Sequence, residues 1–122
     1  MILKSKALKI VSIAEEKKVV EPVILDVRKI STFCDFFVIV TGTSQMHIRS
    51  IADAIEEEMK KEGVRCNHRE GDYASRWVVL DYASVVVHIF DEEMRSFYDL
   101  EHLWADASRL SKKAKILNKR KE

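Results

Sequence analysis

The chain has 122 residues, 47% hydrophobic and 34% charged, a size and balance that suit one soluble globular domain and leave too little chain for two. Three glycines, one proline and two cysteines exclude long flexible linkers and a disulfide scaffold, so Cys34 and Cys66 read as reduced thiols. The net charge of +1 is unevenly spread: of 21 bases and 20 acids, seven bases and one acid fall in residues 109–122, which leaves residues 1–108 at −5. An acidic body with a basic end suits a basic partner that sits close to nucleic acid.

Taken in order, Leu3, Ala7, Ile10, Val11 and Ala14 recur at three- and four-residue spacing and predict an amphipathic first helix ending near Lys17-Lys18. Lys4, Lys6, Lys9, Glu15 and Glu16 break any apolar run of signal-peptide length, and no stretch approaches the ~20 apolar residues that cross a bilayer, so a cytoplasmic protein with no membrane contact is expected. Pro22 is expected to open a strand through Val27. Phe36-Phe37-Val38-Ile39-Val40 is apolar at every position, as an interior strand covered on both faces requires. After Thr41-Gly42-Thr43-Ser44 a second helix is predicted, with Ile48, Ile51, Ala52, Ile55 and Met59 as its buried stripe. Glu56–Lys60 and Glu57–Lys61 are expected as surface pairs on that helix, and Gly63 as its left-handed cap.

Val64-Arg65-Cys66 is expected to start a short third strand, and Glu70-Gly71-Asp72 to turn the chain into a hairpin. That hairpin pairs Trp77–Leu80 with Val85–Phe90 across Asp81-Tyr82-Ala83-Ser84. Asp91-Glu92-Glu93 suits the first turn of a last helix over roughly 92–98. Val85, Val87, Ile89, Phe97 and Leu103 are expected in the core. Trp77, Tyr98 and Trp104 fit a core less readily, because Trp and Tyr need polar partners when buried and are enriched at interfaces. The order is helix, two strands, helix, three strands, helix and basic tail.

The residues carry no catalytic constellation. A Gly-Thr-Ser step between strand and helix favours an anion, but nucleotidyl transfer also needs paired carboxylates on a neighbouring strand to hold Mg²⁺. Asp91 and Glu93 have the spacing and fall at a helix start; Asp81 has no acidic partner two residues away. His47, His68, His88 and His102 are scattered and follow no nucleophile signature, and His88, between Val87 and Ile89, reads as a hydrogen-bonded sheet histidine. Cys66-Asn67-His68 lacks a second ligand pair, so no metal is expected. No catalytic residue and no cofactor is expected either. A binding module is the default.

Six segments together carry a resemblance: Asp35–Ser44, Ile51-Ala52-Asp53, Glu70-Gly71, Trp77–Tyr82, Val85–Phe90 and Phe97–Glu101. In this order and spacing they resemble the ribosomal silencing factor, or Iojap, family. The resemblance implies an α/β fold, a mixed sheet of about five strands flanked by helices, nucleotidyltransferase-like but without the catalytic acids. It assigns residues 1–108 to the family domain and leaves 109–122 as a basic C-terminal tail. It further implies a translational repressor that binds the large ribosomal subunit through ribosomal protein uL14, blocks joining of the small subunit, and lowers translation when nutrients are scarce. It also implies a homodimer when free. The partner contacts it implies are Trp77, Asp81 and Tyr82 on the hairpin, and Tyr98, Leu100 and Glu101 beyond it. Ala83-Ser84 depart from the Gly-Asp usual in the family, and Gln45-Met46-His47 from a more basic stretch. Two other functions stay open: a nucleotidyltransferase-type enzyme, and a general RNA-binding module that uses the basic tail on ribosomal or other RNA.

Overall fold

The apolar period is helical at the start of the chain and α1 forms there, over Leu3–Glu16, in a computed structural model that describes residues 3–29, 34–71, 76–98, 108–111 and 115–116. Its stripe of Ala7, Ile10, Val11 and Ala14 is buried. The helix closes through Lys17 and Lys18 N–H bonds to the carbonyls of Ala14 and Glu15, both 2.9 Å. Strand β1 covers Val20–Asp26 and β2 Phe36–Thr41, antiparallel to each other. Pro22 does not open β1: the strand starts at Val20, and the register shifts between Val20 and Val23, where Glu21 has φ 46°. A bulge is where a strand tolerates a residue with no N–H.

Helix α2 (Gln45–Lys61) buries the expected stripe of Ile48, Ile51, Ala52, Ile55 and Met59. Ser44 caps it by accepting the His47 N–H, and Gly63, at φ 82°, follows its C-cap Glu62. Its surface pairing differs from expectation. Lys61 pairs with Glu58 at 3.2 Å, and Glu56 reaches Arg69 on the next strand at 3.4 Å. That strand, β3, spans His68–Glu70, four residues later than Val64, because β4 ends at Asp81, opposite His68, and offers the earlier residues no strand to pair with. The hairpin follows as β4 (Trp77–Asp81) and β5 (Val85–Phe90), and α3 covers Glu92–Tyr98.

The sheet order is β3-β4-β5-β2-β1-β6-β7, with β2 and β5 parallel and the other pairs antiparallel. The strands β1 to β5 are those expected, and the mixed α/β architecture is as expected. Two strands lie where a tail was expected: β6 (Ser108–Ser111) pairs with β1, and β7 (Lys115–Ile116) pairs with β6. The expected boundary at residue 108 therefore falls at the start of a strand. The helices do not flank the sheet evenly. Both α1 and α2 pack on one face, over Ile24, Phe36, Val38, Val40, Val78, Leu80, Val85, Val87 and Ile89. On the other face Met94 of α3 packs beside Leu25, Ile39 and Phe90. Val85, Val87 and Ile89 fill the core as expected; Leu103 and the side chain of Phe97 lie outside the described residues.

Candidate functional site

The pairing of β4 with β5 fixes which hairpin side chains share a face. Trp77 opposes Phe90, Val79 opposes His88, and Asp81 opposes Val86. These six point away from α1 and α2, and their neighbour across β5 is Phe37 on β2, beside Val86 in the parallel register. Trp77, Val79, Val86 and Phe37 are half-buried, which makes a contiguous apolar and aromatic platform on the face opposite α1 and α2, the face that also carries Met94 of α3. Asp81 closes one end of it, also half-buried, and its Oδ1 accepts the Ala83 N–H at 2.7 Å. That bond, with Tyr82 N–H to the Val85 carbonyl at 2.8 Å, holds a three-residue turn in which Ala83 takes φ 68°.

Tyr82 is not on this surface. Val78, Leu80 and Tyr82 continue one alternation, and all three turn under the helices; Tyr82 is 2% exposed. Burial pushes its phenol well above the ordinary range, and its hydroxyl has no hydrogen-bond partner among the described residues. The expectation that this phenol meets a partner is corrected: the period-two pattern carries through the strand end into the turn. Tyr98 is the last residue of α3, its side chain outside the described residues, and Leu100 and Glu101 lie outside them altogether.

At the centre of the platform Trp77 Nε1–H donates to His88 Nδ1 at 3.3 Å. The rings of His88, Phe37, Trp77 and Phe90 cluster, with centroids 5.1 Å apart for Phe37–His88 and 5.5 Å for Trp77–Phe90. Accepting at Nδ1 requires the neutral tautomer with its proton on Nε2, and that nitrogen has no partner among the described residues. Burial pushes the His88 pKa down to about 4, so the ring is neutral at pH 7. An unsatisfied buried donor costs about 1–3 kcal/mol. His88 is thus only half of the satisfied sheet histidine that its flanking residues suggest.

The strand–helix junction at Gly42 has a structural explanation. A Cβ there would stand 2.9 Å from Ile48 Cγ1 and 3.3 Å from Ile51 Cδ1, so glycine lets α2 pack onto the end of β2. The Thr43 N–H that an anion would need is taken by His47 Nδ1 at 2.8 Å, and His47 Nε2 reaches the Lys17 carbonyl at the end of α1. The adjoining pocket, about 510 Å³, is lined by Asp91, Glu92 and Glu93, which repel a phosphate. Asp91 caps α3 through Met94 N–H at 2.8 Å, and Arg76 holds Asp91 and Glu93 at 3.2 and 3.1 Å. Below them the buried Arg95 donates to Thr41 Oγ1 at 2.7 Å and to the Glu21 carbonyl in the β1 bulge at 2.8 Å. These acids serve the helix start. Among the described residues no three metal-ligating side chains gather, and no helix is long and apolar enough to cross a membrane.

The model of the family described as ribosomal silencing factor during starvation matches residues 3–122. The chain belongs to this family. It is 39% identical over 101 residues to the ribosomal silencing factor RsfS of Bacillus subtilis, covering 82% of this chain and 86% of that protein. With the RsfS of Halalkalibacterium halodurans it shares 36% over 97 residues, 80% of this chain and 83% of that one. A crystal structure of a Chromobacterium violaceum protein superposes with a TM-score of 0.83 at 27% identity, over 86% of this chain and 88% of that one.

Of the residues expected to meet a partner, Trp77 and Asp81 share the platform, and Tyr82 does not. The sequence reading missed Val79, Val86, His88 and Phe37 as its other members. The alternation in β4 and β5 was the available signal, since it puts 77, 79, 86 and 88 on one side. Arg95 had no such signal, because a cation after Glu92 and Glu93 reads as a solvated side chain.

Proposed function

We propose that the chain represses translation by binding the large ribosomal subunit through ribosomal protein uL14 and so blocking the small subunit from joining, with the effect felt under nutrient limitation. The reading rests on family membership together with one observation: Trp77, Val79, Val86 and Phe37 form a half-buried apolar platform opposite α1 and α2, with Asp81 at its end. Aromatic residues at such a patch supply area with little conformational entropy, and an acid at its rim suits a basic ribosomal protein. Residues 1–108, at net −5, favour approach to that partner, and the bases after residue 108 add contact with ribosomal RNA. The action is occupancy, with no catalytic step, cofactor or metal. The free protein is a homodimer of the cytoplasm.

Subunit joining followed by light scattering tests the reading. Protein mixed with large subunits before small subunits are added is expected to suppress joining in proportion to the large subunits occupied. Undiminished joining at saturating protein contradicts it, and so does inhibition of translation by ribosomes that have already joined.

A further inference from the structure

His88 is the one polar residue of β5, and every other position of that strand is Val, Ile or Phe. It lies beneath a half-buried surface, its Nε2 without a partner among the described residues. A leucine or phenylalanine would fill the same space with no orphaned nitrogen of its own, although it would take this acceptor from the Trp77 indole N–H. Residues that break a local rule in this way are found where function requires them. What the imidazole supplies is direction. The ring contacts of Trp77 with Phe90 and His88 fill space over a range of angles, whereas the Nε1–H to Nδ1 bond at 3.3 Å fixes how the indole is turned. The backbone that presents Trp77 is pinned as well: Arg76 has φ 65°, and its side chain is held by Asp91 and Glu93.

We propose that His88 is the positioning residue of the partner-binding platform, its Nδ1 holding the Trp77 indole in the orientation that docks. This rests on the reading of Trp77 as a contact with the large subunit. The imidazole does not touch the partner; it removes orientations of the indole that would have to be lost on binding.

Two variants of equal shape separate positioning from packing. In His88→Asn the side-chain oxygen stands where Nδ1 stood and still accepts. His88→Leu has the same branching and no acceptor. A residue that only packs predicts that leucine is the better replacement for every property. Positioning predicts a crossing. His88→Leu melts no earlier than His88→Asn, yet binds free large subunits about tenfold more weakly than the parent, the scale of one hydrogen bond, while His88→Asn stays close to the parent. In a Trp77→Phe background, which has no indole N–H, the two variants should bind alike. Equal affinity of leucine and asparagine variants overturns the proposal, as does a difference that survives in Trp77→Phe.

The indole resonance of Trp77 in ¹H–¹⁵N spectra, assigned by its loss in Trp77→Phe, gives a readout that needs no ribosome. It is expected to move upfield and exchange faster with solvent in His88→Leu but not in His88→Asn. An unmoved resonance in His88→Leu overturns the proposal even where binding falls. Should the parent fail to bind large subunits, the proposed function falls and this resonance alone decides the role of His88.

Discussion

On the face beneath α1 and α2, Phe36, Val38, Val40, Val78, Leu80, Val85, Val87 and Ile89 are no more than 1% exposed, and each is apolar; Tyr82 joins them through its ring. On the opposite face the same strands carry Phe37, Trp77, Val79 and Val86 half-buried, with Thr41 and His88 as buried polar residues among them. Period-two geometry makes this division possible, since one strand serves both faces without compromise. The first face fills space and holds the fold. The second buries Leu25, Ile39 and Phe90 beside Met94 of α3 but leaves the hairpin side chains half-buried, with the exposure and the aromatic content that recognition uses.

Substitutions should therefore separate by face, and the largest effect belongs to the helix side. Ile51, 0% exposed, lies against the sheet from α2. Ile51→Ala is expected to lower unfolding stability by about 4 kcal/mol in urea titrations, with the folded fraction still binding large subunits normally. A comparable loss from Trp77→Ala would erase the distinction between the faces.

Acid should act through the other face. The pKa of His88 is about 4 in the folded chain against an ordinary 6.5. The unfolded chain thus takes up a proton first as pH falls. Stability is full above pH 6.5, drops as pH falls from 6.5 towards 4, and levels off below; the total is about 3 kcal/mol. The drop in that window should vanish in His88→Leu. Urea midpoints at a series of pH values check this, and a parent curve flat over the window would show that His88 is not buried as a neutral ring.

Next in size, Trp77→Ala is expected to weaken large-subunit binding by about 2 kcal/mol, the scale of an interface hot spot, at a smaller cost in stability than Ile51→Ala. Titration calorimetry and thermal melts on one preparation measure both. The smallest effect is a gain. Ala83, exposed, holds φ 68° in the hairpin turn, a conformation that is unfavourable for any residue with a Cβ. Ala83→Gly should stabilise by up to about 1 kcal/mol and leave affinity unchanged. A lower melting temperature would mean that the turn does not store this strain.

The fold was legible wherever the apolar period was long enough to read. The two longer helices, the all-apolar β2 and the hairpin each announce themselves by spacing, and their order follows. What escaped was set by pairing between strands. The start of β3 is displaced because its partner β4 ends at Asp81, opposite His68, and β6 and β7 hide in a run of cations whose backbone pairing leaves no apolar pattern. On the platform, Trp77 was legible as a strand aromatic, whereas Asp81 was read as the first residue of the turn and is the last of β4. Tyr82 was misplaced because a turn residue is expected outside, although counting in twos from Val78 puts it inside. His88 was visible as an anomaly among valines, but its orphaned nitrogen and its bond to Trp77 depend on the cross-strand register, which one strand alone does not reveal.

The central claim is that the platform face occupies the large subunit where the small subunit would sit. Sedimentation of the parent with separated subunits and with assembled ribosomes tests it most directly. The account predicts that the protein travels with free large subunits, is absent from small subunits and assembled ribosomes, and is lost from the large-subunit fraction in Trp77→Ala. Equal recovery with assembled ribosomes, or full retention of a folded Trp77→Ala on large subunits, would contradict it.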